Sequence, residues 1–190
     1  MTKILLVRHG HVEGISPERF RGRAELQLTA TGLRQAQVTA LRIAESWHPS
    51  AVYSSPMGRC RQTGAAIGPL FGLSPVILAG LNDIEYGMWQ GLTPDEARRD
   101  WAQEVDTWYR QPDWAAIPGG ETLHAVLARA SAAIREVCRR HGDDTVVLIA
   151  HDSVNRVILL DALGLPLHAT GRSARALVPS TRSTQKRVVS

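Results

Sequence analysis

The stretch LLVRHGHVEG, residues 5–14, ends an apolar run with Arg8, His9 and Gly10 side by side. Placing a guanidinium and an imidazole at the end of a buried strand costs desolvation that packing alone does not repay, so a ligand is the natural reason for them. The chemistry such a pair fits is attack on a phosphate monoester. Imidazole stays largely uncharged near neutral pH and is itself nucleophilic, whereas a serine would need a separate base. His9 is therefore the expected nucleophile. Cationic neighbours favour its neutral form, and guanidinium forks match phosphoryl oxygens in bidentate geometry. Arg8 is one such neighbour, and Arg59, in SSPMGRCRQT at 54–63, is the second. Both are expected to bind phosphate and to be dispensable for folding. His151, in LIAHDSVNR at 148–156, precedes a helical pattern whose N-terminal amides favour an anion. His11 is placed either at the rim of this pocket or on the plain surface.

These residues must be brought together by the elements around them. KILLVR at 3–8, AVYSS at 51–55 and DTVVLIA at 144–150 are short apolar runs of buried-strand type, and SPVIL at 74–78 is a further candidate. Helical spacing separates them. Leu33, Ala36, Ala40, Ile43 and Trp47 mark one face of a helix capped by Thr29. Further helices are expected over about 58–71, 122–140 and 153–163, the last stopped by Gly164 and Pro166. Strands alternating with helices predict an α/β fold, a three-layer α/β/α arrangement whose central sheet is mostly parallel. Ligands then lie at the carboxyl ends of the strands, where Arg8-His9, Ser54-Ser55 and His151 all fall. Residues 81–120 carry four of the five tryptophans, and Trp101, Val105 and Trp108 share a helical face. Core packing is the favoured role for that face, with an aromatic substrate wall or a lid as the functional alternative.

Composition narrows the class. A chain of 190 residues, 44% of them hydrophobic, suits one domain with a proper core. Cys60 and Cys138 show no metal or CxxC spacing and are expected as free thiols. No segment approaches the roughly 18 apolar residues of a membrane span, so the expectation is a cytoplasmic protein without a membrane partner. The net charge of +4 does not argue for nucleic acid: the last 23 residues hold five Arg/Lys and no acid, and without them the charge is −1. Residues 1–167 are expected to form the domain, followed by a basic, Ser/Thr-rich, disordered tail over 168–190.

The ordered set RHG, SSPMGRCRQT, LNDIEYGMWQG at 81–91, GGET at 119–122 and LIAHDSVNR resembles the histidine phosphatase superfamily, the phosphoglycerate mutase-like proteins, in its branch of small phosphatases and mutases. RFRG at 19–22 and LQLTATG at 26–32 extend the resemblance, which covers residues 3 to about 166. It implies a phosphoglycerate mutase-like fold and a phosphohistidine intermediate on His9. It also implies that His151 holds the phosphoryl group opposite the nucleophile. With this much positive charge in the pocket no metal is needed, and no cofactor is expected. The family's proton donor is usually a glutamate in Leu-x-Glu-x-x-x-Gly; Asp83 stands there, one methylene shorter. Asp152, in a His-Asp pair resembling the donor motif of the acid phosphatase branch, is the alternative donor, unless it chiefly caps the following helix. Two departures, Val12 and Ile15, occupy places where the family often has Thr or Ser and Asn. They favour a phosphatase over a phosphoglycerate mutase. A module that binds phosphorylated ligands without turnover is the reading from outside enzymology. The expected partner is a small phosphorylated metabolite, with a homodimer left open.

Overall fold

A computed structural model describes residues 1–13 and 17–170. Ile15 and all but the first three residues of the expected tail lie outside the described residues. In chain order the elements are β1 (Lys3–Arg8), α1 (Ala30–Ser46), β2 (Ala51–Ser54), α2 (Gly58–Ile67), β3 (Val76–Ile77), α3 (Pro94–Arg110), α4 (Leu123–His141), β4 (Thr145–Ala150) and α5 (Asp152–Ala162). The four strands form one parallel sheet in the order β1-β4-β2-β3.

The continuous apolar run of β4 has a direct cause. Side chains alternate across a strand, and β4 is covered on both faces. Val146, Leu148 and Ala150 join the core built with Val126, Ala130 and Val137 of α4 and Val154 and Val157 of α5. Val147 and Ile149 point the other way, to Ala40 and Ile43 of α1 and Cys60 and Ile67 of α2. This gives the three layers the sequence predicts.

Register sets the height of the site. Arg8 pairs with Ala150 and Ser54 with Ile149, so the strands stop level. One more bond on each side, His9 N–H to Ala150 O (3.1 Å) and Ser55 N–H to Ile149 O (2.9 Å), carries the ladder into the residues that follow. Gly10 is held beneath α1: a Cβ there would lie 2.4 Å from Gly32 O, and one on Gly32 would lie 2.2 Å from His11 O. Only two glycines allow this approach, which seats the start of α1 on the loop after β1.

Several boundaries and faces differ from expectation. Thr29 caps α1 by accepting from Gly32 N–H (3.1 Å), but the buried face is Gly32, Ala36, Ala40 and Ile43, and Leu33 is 44% exposed. The close glycine contact turns α1 and rotates Leu33 outward. The helix begun at Gly58 ends at Ile67 and tightens into a 3-10 turn over Gly68–Phe71, because Pro69 cannot continue the bonding pattern. The chain also remains folded beyond residue 167: Leu167–Thr170 form a 3-10 turn, and Arg156 Nη1 donates to Thr170 O (3.0 Å). Both cysteines are free thiols, and no helix among the described residues is long and apolar enough to cross a membrane.

Candidate active site

At the carboxyl ends of the strands lies a cavity of about 500 Å³ whose lining includes Arg8, His9, Asp83, Asp152 and Ser153. His9, 8% exposed, donates from Nδ1 to its neighbour's carbonyl, Gly10 O (2.7 Å). In the neutral ring this bond puts the proton on Nδ1 and leaves the lone pair on Nε2. Burial lowers the His9 pKa to about 3, aided by repulsion from His151 once that ring is protonated and by the charges of Arg59 and Arg8, against the raising effect of the Gly10 hydrogen bond. The ring is thus a neutral nucleophile across the physiological range.

Arg59 and His151 stand one layer deeper, each 1% exposed. Arg59 donates from Nη1 to Ala24 O (2.8 Å), from Nη2 to Gly22 O (2.7 Å) and Asp83 Oδ2 (2.9 Å), and from Nε to His151 Nδ1 (3.3 Å). Its guanidinium therefore ties the 22–24 loop to the sheet, which corrects the expectation that this arginine is dispensable for folding. Removing it would strip two carbonyls of donors and leave a largely buried carboxylate without its cation. His151, with Nδ1 accepting, presents Nε2–H to Ser55 Oγ (2.8 Å). Its ring lies 5.3 Å from that of His9. Burial, then the charges of Arg59, Arg129 and Arg8, hold its pKa well below the usual histidine value. Cys60 Sγ is 3.5 Å from His151 Nε2, but burial pushes the thiol up to about 12, so it offers no thiolate.

Asp83 accepts at both carboxylate oxygens: Oδ1 from Ile84 N–H and Ser153 Oγ (2.9 Å each), Oδ2 from Arg59, with His151 Nδ1 3.3 Å from Oδ2. GGET supplies the frame for this loop. Glu121 accepts from Arg129 (3.0 Å to each oxygen), Arg23 (3.1 Å) and Glu85 N–H (3.1 Å). Arg129 reaches on to the carbonyls of Gly80, Asn82 and Asp83. Asp152 is not a cap. It is the first residue of α5, and its carboxylate bridges Arg8 Nη1 (3.3 Å) and Arg156 Nε (3.0 Å).

His11 does not line the cavity; its Nδ1 meets Thr29 Oγ1 (2.9 Å) and its backbone N–H donates to Gln35, so it fastens the start of α1. Val12 is fully buried, bridged to Leu28. Among the described residues, no three His, Cys, Asp or Glu side chains are grouped to hold a metal ion. Trp89 is buried in the core, while Trp108 packs on the core and also lines the cavity. Arg21 and Tyr86 also line the cavity and were not singled out by sequence.

The family model of the histidine phosphatase superfamily (branch 1) matches residues 4–181. The chain belongs to this superfamily. As a histidine phosphatase it is an enzyme, since members of the superfamily hydrolyse phosphomonoesters. Phosphoserine phosphatase 1 of Hydrogenobacter thermophilus is 29% identical over 167 residues, covering 88% of this chain and 79% of the relative. GpmB of Yersinia pestis, which bears a phosphoglycerate mutase name, is 29% identical over 177 residues, covering 90% and 80%. Among solved structures, YhfR of Bacillus stearothermophilus superposes with a TM-score of 0.84 at 26% identity, covering 90% of this chain and 84% of that one.

The buried histidines of this phosphatase make its stability depend on pH. Below about pH 6.5 the unfolded chain takes up protons on His9 and His151 that the folded chain refuses, so stability falls as pH falls. For His9 the loss from pH 7 to pH 5 should be about 2 kcal/mol, with His151 adding in the same direction. Urea unfolding at the two pH values measures it, and His9→Gln should flatten the dependence by that amount. An unchanged slope in the variant would mean that His9 takes up its proton as readily in the fold as in the unfolded chain.

Proposed function

We propose that this histidine phosphatase hydrolyses small phosphorylated metabolites through a phosphohistidine on Nε2 of His9, without a metal ion. The observation that carries the proposal is the Nδ1–H bond to Gly10 O in a cavity edged by Arg8, which turns a neutral ring's lone pair toward the bound ester. In the first step the Nε2 lone pair forms the N–P bond as the ester P–O bond breaks, and the leaving alkoxide takes the proton that the Asp83 carboxylate, released from Arg59, has taken up from solvent on ester binding. In the second step water attacks phosphorus, returns a proton to Asp83 and releases inorganic phosphate and the neutral imidazole.

Arg8 and Arg59 neutralise the phosphoryl oxygens, with His151 opposite the nucleophile turning its Nε2–H from Ser55 to a phosphoryl oxygen. Arg59 reaches them by exchanging its Asp83 partner for a phosphoryl oxygen, which frees the carboxyl group for proton transfer. Asp152 holds Arg8 in place through its bridge to Arg156. The arginines supply the charge that a metal supplies elsewhere. The test is phosphate release from a panel of phosphomonoesters in EDTA. O-phosphoserine belongs in the panel, given the name of the Hydrogenobacter relative. Turnover should be undiminished by the chelator. Loss in EDTA that a divalent cation restores would overturn the metal-independent mechanism.

A further inference from the structure

We propose that the alcohol released by this phosphatase carries an aromatic ring, held against Tyr86, Trp108 and Tyr109. The inference rests on the placement of the phosphoryl group at Arg8 and His9. A cavity of about 500 Å³ has room for far more than a phosphoryl group and a short aliphatic chain, being of the size that takes multi-ring ligands. Its lining divides by chemistry. Beside the charged groups around His9 stand Phe20, Tyr86, Trp108, Tyr109, Pro112 and Leu123.

The rings are set in place before any ligand arrives. Trp89, fully buried, lies 5.1 Å from Phe20; Phe20 lies 5.0 Å from Tyr86; and Tyr86 meets Trp108 edge-on at 5.6 Å and 82°. A wall anchored in this way loses little rotamer freedom when a ring stacks on it. Tyr109, 41% exposed, continues the wall outward, with the Arg98 guanidinium 5.5 Å from its ring centre. Burial raises the Tyr86 hydroxyl well above its usual pKa, so that ring stays neutral beside an anionic ester. Two arginines of the rim are already engaged. Arg19 bonds Gly91 O and Glu96, and Arg156 bonds Asp152 and Thr170 O. Arg21 stands in the same lining, so a second anionic group on the alcohol is the competing source of selectivity, and the O-phosphoserine arm of the test separates it from the aromatic wall.

The test compares benzyl, propyl and O-phosphoserine esters. Benzyl and propyl alkoxides are both strongly basic, so their ratio reports binding of the ring rather than leaving-group chemistry. We expect kcat/KM for benzyl phosphate to exceed that for propyl phosphate by about tenfold or more, the scale of two aromatic contacts. Tyr109→Ala and Trp108→Leu should bring the ratio toward one, and Trp108→Phe should restore most of it. Tyr109 is exposed enough that its variant should fold even where Trp108→Leu does not. A wild-type ratio near one, a preference for O-phosphoserine, or a ratio unmoved by Tyr109→Ala would overturn the proposal while leaving the phosphatase intact. If none of the esters is hydrolysed and no phosphohistidine forms, the catalytic assignment fails and the ring site falls with it.

Discussion

His9→Ala should lower kcat/KM by about four orders of magnitude or more, the scale at which enzymes lose a covalent nucleophile. It should also abolish a phosphorylated species that the wild-type protein forms with substrate. Three features of the structure set this expectation. The Gly10 carbonyl holds the Nδ1 proton, the ring lines the cavity, and its pKa of about 3 keeps it unprotonated. Among the described residues no other near the cavity offers the same combination: His151 donates Nε2–H to Ser55 and accepts at Nδ1 from Arg59, and Cys60 is a protonated thiol. The adduct is a phosphoramidate, so it should survive alkaline denaturation and be lost in acid, the reverse of a phosphoserine. Rapid quench with labelled substrate, followed by peptide mapping, locates it. Label on any residue other than His9, or an adduct persisting in His9→Ala, would remove the mechanism. The low pKa adds a second expectation: kcat/KM should show no acid limb near pH 6.5 attributable to His9.

The parts of the fold legible in the sequence are those whose signal is local. DTVVLIA reads as a strand buried on both faces because all its side chains meet apolar neighbours, and strand ends are marked by the sudden arrival of Arg8-His9, Ser55 and His151. Features set at a distance were not legible. Leu33 has the right spacing for the buried face of α1, yet the Gly10–Gly32 approach, a contact across 22 positions of sequence, decides which face turns inward. Arg59 looks like a free cation until the carbonyls of Gly22 and Ala24 and the Asp83 carboxylate are folded against it. Asp152 has the residue type of a cap, but Arg8 and Arg156 compete for its carboxylate and win. One local signal was present and unused. Thr93-Pro94-Asp95-Glu96 is a capping box with proline in the first turn, and it starts α3, the helix that carries Trp108 and Tyr109 to the cavity.

Asp83→Asn should lower kcat/KM for benzyl phosphate by about 10²- to 10⁴-fold, the usual worth of a positioned general acid, and for p-nitrophenyl phosphate far less. The two esters place a ring and the same phosphoryl group in the cavity, so changes in binding largely cancel in their ratio. What differs is the leaving group. A nitrophenoxide departs without a proton, whereas a benzyl alkoxide needs one in the transition state. The cancellation matters because Asp83 also faces Arg59 at 2.9 Å, and neutralising it changes the charge around the phosphoryl group for both esters alike. A lost counter-ion therefore lowers both rates, and a lost acid lowers one. Asp152→Asn should behave in the first way. Its carboxylate steadies Arg8 and Arg156, and both its bonds are to guanidinium groups at the half-exposed edge of the cavity. A modest loss, similar for the two esters, is the expected result there. A defect confined to benzyl phosphate in Asp152→Asn, with Asp83→Asn unselective, would move the proton donor from the loop after β3 to the His-Asp pair at the start of α5.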